Sequence, residues 1–574
     1  MKKYYSAEKN VQILISLMKQ YGIRKIIASP GTTNVSFVAS VQQDKYFEIY
    51  PSVDERSAAF MACGLAEESK ECVALSCTGA TASRNYVPGL TEAYYKKLPI
   101  LVITSSHSNA DIGHLFPQVT DRTHKMDDVI KFSYQLLTIN SKEEEWDAII
   151  GVNKSILELQ HHGCGPVHIN LATSYNCDFS VKKLPVVRKV EIITKEDEFP
   201  EIPIGEIAVV VGNHKLFSEE LTKQIERFCR NYNSVVLCDQ TSNYRGQHRV
   251  LANIMTNQSA VFTCKRFDLV IHIGATSGGY ISFKTNEVWR VNPDGEVRDL
   301  YRKLKYVFEM EEIQFFSLIR DSKKKNDCTI IKCKNEENMI RKRIPNLPFS
   351  NLWIAKELCN KIPIGSVLHL GILNTLRSWN FFETDDSVKV CSNTGGFGID
   401  GCVSSLIGAS FINPEKLYIG IFGDLAFFYD INVLVNKEIG ENVRIIVINN
   451  GIGTEFKNYN HIVSSFGRFA DEFMAAGGHF GNKSNSLLKV FAINSGFKYF
   501  SASTKEGFLK VADAWLSSGD AKPALLEIFT DEREESKALE LMNTIVVDKK
   551  KEFIKKIVGE KNIMLIKQLL NKYF

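Results

Sequence analysis

The stretch of residues 421–451, IFGDLAFFYDINVLVNKEIGENVRIIVINNG, predicts a strand, a helix and a second strand. The first apolar run ends in Gly423 and Asp424, and the second ends in Asn449 and Asn450. We expect the intervening AFFYDINVLVNKEI to form a helix of about four turns. When two such strands are parallel, their carboxyl ends lie at the sheet edge where open α/β sheets bind ligands. The stretch therefore predicts an α/β fold with a polar site beside Asp424.

The composition is that of an ordinary globular chain with several domains. At 574 residues, the chain exceeds the size at which one hydrophobic core stops growing. A net charge of +4 provides no basic footprint for nucleic acid, which favours small-molecule chemistry. Thirteen cysteines without a CxxC pair indicate reduced thiols and a cytoplasmic location rather than a disulfide framework or zinc site. The N-terminus is unlike a signal peptide, and we expect no transmembrane segment.

Apolar runs alternate with amphipathic helical patterns in three blocks, which predicts three doubly wound parallel-sheet domains in series. The first block, residues 1–185, contains the expected strands RKIIASPG, CVALSCTG and PILVITSS. The second, residues 195–342, contains EIAVVVGN, SVVLCDQ, FDLVIHIGAT and EVWRVNPDG. The third, residues 348–545, contains SVLHLG, VKVCSN, LYIGIFGD, VRIIVINN and ALLEIFTD. Charged segments, one of them containing proline, are expected to link the blocks.

A basic segment, residues 546–574, follows the third block. Its apolar residues recur at roughly helical spacing and predict an amphipathic helical extension: Phe553, Ile554, Ile557, Ile563, Ile566 and Leu569. Packing on its own domain or on a second copy of the chain is the favoured interpretation. Binding to acidic lipid or to another partner is the alternative.

The residue types around Asp424 predict a metal site. A carboxylate, the amide oxygen of Asn450 and a nearby backbone carbonyl form an incomplete all-oxygen shell. Such a shell suits Mg²⁺ when phosphate oxygens and water complete it, so a diphosphate ligand is implied. The turn NTGGFGIDG, residues 393–401, could bring backbone N–H groups close to that ligand. Glycines in such turns also occur for turn geometry alone.

Together, these motifs resemble those of thiamine-diphosphate-dependent enzymes. Gly-Asp followed further along by Asn-Asn is the family's cofactor motif. The residues of this motif are similar to those of the menaquinone-pathway synthases that join 2-oxoglutarate to isochorismate. The resemblance extends in order through SPGTTN, VDERSAAFMACGLAE, CTGATASRNYVPGLTEAYY, VWRVNPDGEVRD, SNTGGFGIDG and LLEIFTDERE. It implies pyrimidine-binding, middle and diphosphate-binding domains, with each active site between two chains of a homodimer or dimer of dimers.

The resemblance implies thiamine diphosphate and Mg²⁺ as cofactors. Asp424 and Asn450 would bind Mg²⁺ through side-chain oxygens, and Ile452 through its carbonyl. Ile399 would support the bent conformation of the cofactor, because a β-branched side chain is stiff. Without the resemblance, Ile399 would be interpreted as a core residue. The other implied cofactor contacts are Thr78, Gly79, Gly395, Gly396, Phe397 and Leu425.

Glu55, in VDERSAAF, has the most specific implied role. In the family, this glutamate contacts the aminopyrimidine ring of a cofactor whose diphosphate is held by the partner chain. A carboxyl group bonded to a ring nitrogen promotes the tautomer that removes the C2 proton. The alternative is a surface glutamate at a helix start, where the helix dipole favours negative charge.

Three expected arginines are replaced. In the isochorismate-specific synthases, arginines bind substrate carboxylates through paired hydrogen bonds. Here Thr33, Thr394 and His107 stand in their places. These replacements imply an acceptor other than isochorismate, such as an aldehyde or a sugar-derived ketone.

Of the other substrate-binding positions, two match the residues of the synthases and one does not. Arg377, in LGILNTLRSWN, matches the arginine that holds the donor's distal carboxylate, which implies 2-oxoglutarate as a donor. An arginine there would also suit an interface. Lys284 is a further substrate-binding match. Glu455 stands where the synthases have an apolar residue, and it would face the acceptor or else cap or bridge a surface helix.

The predicted catalytic set comprises Glu55, Gln118, His107 and His114. Gln118, in HLFPQVTD, matches an active-site glutamine of the family. His107 and His114 lie in the polar loop SHSNADIGHLFPQ, and histidine can move protons near neutral pH. Exposed loop histidines without a chemical role are the alternative.

These observations predict a carboligase that depends on thiamine diphosphate and Mg²⁺. It would decarboxylate a 2-oxo acid donor and transfer the acyl group to an acceptor carbonyl compound. A simple 2-oxo acid decarboxylase and a non-catalytic cofactor-binding scaffold are the alternatives. Retention of Glu55 with Asp424 and Asn450 argues against the scaffold, which has no use for a ring-activating carboxylate.

Overall fold

The computed structural model describes residues 4–260, 262–279, 281–320, 328–477, 484–517 and 521–547. The described residues form two compact units. One comprises residues up to 193 with 295–307, and the other comprises 194–294 with the residues from 308 onward. Three parallel sheets with flanking helices confirm the predicted α/β fold class. The boundaries of the three predicted domains remain a prediction.

The first unit is built on a six-stranded parallel sheet. Its strands are β1 (Lys25–Ala28), β2 (Glu48–Pro51), β3 (Val73–Thr78), β4 (Ile100–Ser106), β5 (Phe132–Leu136) and β6 (Val167–Ala172). They are arranged in the order β2-β1-β3-β4-β6-β5. The central strands match the predicted apolar runs. The strands β2 and β5 were not predicted from the sequence, because both are edge strands that lack a continuous buried run.

Helices pack against this sheet and place Glu55 at its carboxyl edge. They are α1 (Lys9–Gln20), α2 (Val35–Gln42), α3 (Glu55–Ser69), α4 (Ala80–Asn85), α5 (Val87–Lys96) and α6 (Lys142–Leu157). Small residues allow α3 to approach α5 closely, since a Cβ on Gly89 would lie 2.5 Å from the Cβ of Ala59. A short strand, β7 (Glu191–Ile193), lies near the end of this unit's first segment.

The second unit contains the other two groups of strands. The middle of the chain supplies six strands: β8 (Ile207–Val211), β9 (Ser234–Cys238), β10 (Arg249–Leu251), β11 (Arg266–Ile273), β12 (Lys284–Val291) and β13 (Leu304–Phe308), of which β13 belongs to the first unit up to residue 307. Five of them pair in parallel in the order β10-β9-β8-β11-β12. The helices here are α7 (Glu219–Tyr232), α8 (Asn253–Thr256), α9 (Glu312–Leu318) and α10 (Cys328–Arg341).

The last sheet contains residues 421–451, the segment that ends in Asn-Asn-Gly. Its strands are β14 (Val367–Leu370), β15 (Lys389–Cys391), β16 (Tyr418–Gly423), β17 (Val443–Asn449), β18 (Lys498–Ala502) and β19 (Ala524–Phe529). All pairs are parallel, in the order β15-β14-β16-β17-β19-β18. The flanking helices are α11 (Asn351–Leu358), α12 (Asn374–Trp379), α13 (Cys402–Ser410), α14 (Asp424–Tyr429), α15 (Leu487–Asn494), α16 (Lys505–Leu516) and α17 (Glu532–Asn543).

The predicted four-turn helix after Asp424 is wrong. The helix α14 ends at Tyr429, and a 3₁₀ segment, Ile431–Val435, follows. The carboxylate of Asp430 accepts hydrogen bonds from the backbone N–H and the hydroxyl of Ser404, at 2.5 and 2.6 Å. These contacts hold Asp430 at the start of α13, with a φ of −128° that does not continue the helix.

Within the described ranges, no helix has the length and apolar character needed to cross a membrane. Within those ranges, no two cysteines are joined by a disulfide bond. The predicted C-terminal extension, residues 546–574, lies outside the described residues except for its first two positions.

Candidate active site

Asp424 connects the ends of two neighbouring strands in the second unit. It follows β16 directly, and only 3% of its surface is exposed. One carboxylate oxygen accepts from the N–H of Leu425 at 2.9 Å, and the other accepts from the N–H of Gly451 at 2.8 Å. Gly451 follows β17, which is the parallel neighbour of β16. The structure therefore brings the Gly-Asp and Asn-Asn segments together at one sheet edge.

The two asparagines that end β17 have different surroundings. The side chain of Asn449 donates to the carboxylate of Glu527 in β19 at 2.6 Å. Tyr499 donates to the other oxygen of that buried carboxylate at 2.7 Å. Asn450 is only half-buried, and its side-chain oxygen is 3.4 Å from the backbone nitrogen of Ile452. Asn449 thus anchors the strand end, which leaves Asn450 to face the edge with Asp424.

A second buried carboxylate, that of Glu535, lies close enough to Asp424 to be affected by its charge. Glu535 accepts from the N–H of Asn351 with both oxygens, each at 3.0 Å, and from the hydroxyl of Thr530 at 2.8 Å. Burial raises the pKa of Asp424 to about 6 against the opposing effect of its N–H donors. Burial, with a smaller contribution from the charge of Asp424, raises the pKa of Glu535 to about 7. The sheet edge therefore concentrates negative charge that a cation would stabilise.

The glycine-rich turn precedes α13, as the sequence predicts. Gly395 and Gly396 are exposed, and a Cβ on either would meet open space, so crowding by the protein does not require glycine there. Phe397 is exposed and has a positive φ of 56°. Ile399 is half-buried in the turn rather than in a helix. Buried Thr394 accepts a hydrogen bond from the side chain of Asn213 at 2.9 Å.

Arg377 and Glu455, predicted as separate substrate contacts, bind one another. The guanidinium donates to both carboxylate oxygens, at 2.5 and 2.8 Å. Arg377 also donates to Asn374 at 3.2 Å, and Asn374 in turn donates to Thr454 at 2.6 Å. Both charged side chains line a cavity of about 340 Å³. Glu455 follows Ile452 by three positions, in the 3₁₀ segment Thr454–Lys457, so the acidic member of this ion pair lies close along the chain to Asn450.

Glu55 lies in the first unit, at the first position of α3. The preceding residue, Asp54, caps the helix by accepting from the N–H of Arg56 at 3.0 Å. The half-buried Glu55 carboxylate accepts from the side-chain amide of Asn85 at 3.4 Å. The helix therefore presents a carboxylate whose only described side-chain hydrogen bond is long, which leaves it able to bond a ligand nitrogen.

The carboxyl ends of β1, β3 and β4 form a tightly packed layer. A Cβ on Gly31 would lie 1.8 Å from the methyl carbon of Thr78, so only glycine permits this approach. The buried Thr33 hydroxyl donates to the carbonyl of Ser105 at 2.8 Å. Gly79 begins the turn into α4. Thr33 is thus occupied within the protein and offers no positive charge where an arginine was expected.

The predicted histidines have different environments. The Nε2 atom of His107 lies 2.8 Å from the hydroxyl of Tyr175, and the two rings are in contact. His114 and Gln118 are exposed in the loop before β5, where Gln118 has a positive φ of 63°. In the second unit, Lys284 is exposed at the amino end of β12, whereas Asp424 and Asn450 lie at carboxyl ends.

Comparison with known proteins identifies the family to which this chain belongs. The model of the thiamine pyrophosphate enzyme N-terminal TPP-binding domain matches residues 9–128. The 2-succinyl-5-enolpyruvyl-6-hydroxy-3-cyclohexene-1-carboxylate synthase of Phocaeicola vulgatus is 30% identical over 566 residues, covering 93% of this chain and 98% of that protein. The chain belongs to the thiamine-diphosphate-dependent enzymes. The synthase of the same name from Bacteroides fragilis is 30% identical, over 79% of this chain and 84% of that protein. The one from Bacteroides thetaiotaomicron is 28% identical, over 93% of this chain and 98% of that protein.

As a family member, the chain is a thiamine-diphosphate-dependent decarboxylase or carboligase. Several residues beside the candidate site residues were not predicted from the sequence: Asn85 and Tyr175 in the first unit, and Glu527 and Glu535 in the second. Glu527 left a detectable signal, because it interrupts the otherwise apolar run ALLEIF. A carboxylate inside a strand buried on both faces needs hydrogen-bond partners, which Asn449 and Tyr499 supply.

Proposed function

We propose that this chain is a Mg²⁺- and thiamine-diphosphate-dependent carboligase. It would decarboxylate a 2-oxo acid and transfer the acyl group to a carbonyl acceptor other than isochorismate. The observation that carries the proposal is the hydrogen bond between Asp424 and the N–H of Gly451, which places Asn450 and Ile452 beside a buried carboxylate.

The donor set around Asp424 fits a divalent cation. In the described part of the chain, Asp424 has no cationic side chain as a partner, and its pKa is raised by burial. Mg²⁺ would supply the missing positive charge and favour the ionised carboxylate. The side-chain oxygens of Asp424 and Asn450 and the carbonyl of Ile452 would hold it. Leu425 and the turn containing Gly395, Gly396, Phe397 and Ile399 are the proposed cofactor contacts of this unit.

Glu55 would control proton transfer at the other end of the cofactor. When bound, thiamine diphosphate supplies the electron sink that allows CO₂ to leave. The Glu55 carboxyl group would bond a ring nitrogen, and Asn85 would hold the carboxyl group in place. Thr78 and Gly79 would lie against the same part of the cofactor. We further propose that Glu55 of one chain serves the metal site of a second chain, in a homodimer or dimer of dimers.

The surroundings of the replaced arginines support a less anionic acceptor. The Thr33 hydroxyl is bonded to Ser105, and that of Thr394 is bonded to Asn213. His107 is bonded to Tyr175. None of these three side chains has the permanent charge or paired donors with which arginine binds a carboxylate. His107, His114 and Gln118 remain the proposed proton-transfer and substrate contacts, and Lys284 remains a proposed substrate contact.

The Arg377–Glu455 ion pair bears on the identity of the donor. A guanidinium bound by an internal carboxylate through two hydrogen bonds has less to offer a second carboxylate. Binding of 2-oxoglutarate at Arg377 would require displacement of Glu455, which would leave that charge unpaired. The ion pair therefore favours a donor 2-oxo acid that has no distal carboxylate. 2-Oxoglutarate, which has one, is the donor against which such an acid should be compared. We retain a cytoplasmic location as part of the proposal.

The decisive experiment supplies purified protein, Mg²⁺ and thiamine diphosphate with a panel of 2-oxo acids and carbonyl acceptors. Released CO₂ and the mass of each product would be measured. A ligated product with an acceptor other than isochorismate supports the proposal. CO₂ with only the unligated aldehyde would identify a simple decarboxylase. No turnover of any oxo acid by cofactor-loaded protein would contradict both catalytic functions and favour the scaffold.

A further inference from the structure

Arg122, in the first unit, is a buried cation without an acidic partner among the described residues. Only 2% of its surface is exposed. Its Nη1 group donates to the hydroxyl of Thr104, whereas no described group accepts from Nε or Nη2. Burial lowers the pKa of Arg122 to about 10, so the guanidinium still carries its charge at neutral pH. A buried charge with unused donors destabilises a fold unless a counter-charge accompanies it.

A chain of hydrogen bonds extends from this guanidinium. Because Thr104 accepts from Arg122, its own proton points to Nε2 of His168, 2.7 Å away. Burial and the charge of Arg122 lower the pKa of His168 to about 3, so the ring is neutral. Its remaining proton, on Nδ1, then points to the hydroxyl of Ser133 at 3.0 Å. Ser133 is left with a proton that it can donate to another group.

Arg122, Thr104, His168 and Ser133 all line one small, partly open cavity of about 20 Å³. Arg84 and Lys125 line it as well, and none of the described residues that line it is acidic. Three carboxylates lie close along the chain, those of Asp121, Asp127 and Asp128, and none of them lines the cavity. That of Asp121 is bonded to Thr123, and that of Asp127 pairs with Lys125 at 2.8 Å. The lining is therefore rich in donors and positive charge.

The backbone around Arg122 is held in place. Arg84 donates to the carbonyl of Asp121 at 3.1 Å, and Gln135 donates to the carbonyl of Arg122 at 3.2 Å. The guanidinium carbon lies 3.2 Å from the position that a Cβ of Gly79 would occupy. The cation is thus fixed beneath the turn that begins at Gly79.

We propose that this cavity binds a small inorganic anion of the size of chloride. About 20 Å³ accommodates a single water-sized particle, so an ion of the size of chloride fits this space better than phosphate or a carboxylate. Water would satisfy some donors but would not neutralise the guanidinium. An anion accepts from Arg122 and Ser133 and balances the charge. The site is independent of the proposed carboligase reaction, because it depends only on the packing of the first unit.

The test compares thermal unfolding of the full chain in sodium chloride and sodium gluconate at equal ionic strength. Wild type should show a saturable rise of its unfolding midpoint with chloride, by about 2–4 °C. Arg122→Gln should lose this response, and Ser133→Ala should weaken it. Arg302→Gln, which removes an exposed partner of Glu143, is the matched control and should retain it. Equal midpoints of the wild type in both salts, or an unchanged response in Arg122→Gln, would overturn the proposal.

A second measurement does not depend on the folding of a variant. Crystals of the wild-type protein soaked in sodium bromide should show an anomalous peak within hydrogen-bonding distance of the Arg122 side chain. Ordered water without anomalous signal at that position would mean that water alone solvates the cation, and the anion site would be rejected.

Discussion

Arg377 and Glu455 form a bidentate ion pair, with nitrogen–oxygen distances of 2.5 and 2.8 Å. They are 78 residues apart in the chain, yet they meet beside the loop that contains Asn450 and Ile452. The pair turns two predicted substrate contacts into one neutral unit. Glu455 accepts from both Nη groups of Arg377, which are the kind of paired donors with which a guanidinium binds a carboxylate.

Removing the internal carboxylate should change the choice of donor. Glu455→Gln would free the guanidinium, and a charged hydrogen bond contributes about 1.5–3 kcal/mol. We expect KM for 2-oxoglutarate to fall by at least about tenfold relative to KM for pyruvate. Steady-state CO₂ release with both donors measures this ratio. Glu438→Gln, an exposed change beyond α14, is the control. A ratio that stays unchanged in Glu455→Gln would show that Arg377 does not contact the donor.

Replacing Glu55 should separate cofactor binding from cofactor activation. In Glu55→Gln, the amide cannot share a proton with the ring nitrogen as a carboxyl group can, so exchange of the C2 proton should slow by at least about 100-fold. Affinity for thiamine diphosphate should change little. Proton NMR of rapidly quenched samples in D₂O measures the exchange. Glu68→Gln, on the exposed face of the same helix, should behave like wild type. Wild-type exchange in Glu55→Gln would remove Glu55 from the catalytic set.

Mixing two inactive variants tests whether the site is shared between chains. Glu55→Gln and Asp424→Asn should each be inactive alone. After dissociation and reassociation of an equal mixture, half of the dimers would contain both variants, each with one intact site and one doubly altered site. Activity should therefore return to about a quarter of the wild-type value. Native mass spectrometry would count the mixed dimers. Mixed dimers without activity would contradict a site built from two chains.

The buried carboxylates predict how stability depends on pH. Burial raises the pKa of Asp424 to about 6 and that of Glu535 to about 7. Since both exceed the ordinary carboxyl values, the folded chain binds more protons than the unfolded chain between about pH 4 and 7, and this contribution to stability is lost as pH rises through that window. Bound Mg²⁺ and thiamine diphosphate should reduce the loss, because a cation favours the ionised forms.

Unfolding midpoints of cofactor-free and cofactor-loaded protein from pH 5 to pH 8 would measure this effect. The cofactor-free Asp424→Asn variant should lose less stability with rising pH than the cofactor-free wild type, because it has one fewer buried carboxyl group to ionise. Identical pH profiles for these two proteins would contradict the raised pKa of Asp424.

Much of the fold could be predicted because central parallel strands are buried on both faces and appear as continuous apolar runs. The runs that became β3, β4, β16 and β17 are of this kind. Edge strands such as β2 and β5 lack that signal. The length of the helix after Asp424 was overestimated because the hydrogen bond from Ser404 to Asp430 joins residues far apart in the chain. Such a contact leaves no trace in the local periodicity of apolar residues.

The candidate site was predictable to the extent that chain order determines it. Asp424 and Asn450 follow consecutive strands, so a parallel sheet brings them to one edge. Pairing between distant side chains leaves no local pattern. The bonds from Asn449 to Glu527 and from Arg377 to Glu455 could be recognised only after folding. The unpaired burial of Arg122 likewise depends on the three-dimensional surroundings.

The most direct test is calorimetric titration of the purified chain with thiamine diphosphate, with Mg²⁺ and after chelation of divalent cations. We predict saturable binding of one cofactor per chain with Mg²⁺, and severe weakening both after chelation and in Asp424→Asn. Absence of binding by wild type with Mg²⁺, or undiminished binding by Asp424→Asn, would contradict the assignment of Asp424 and Asn450 as the cofactor's metal site.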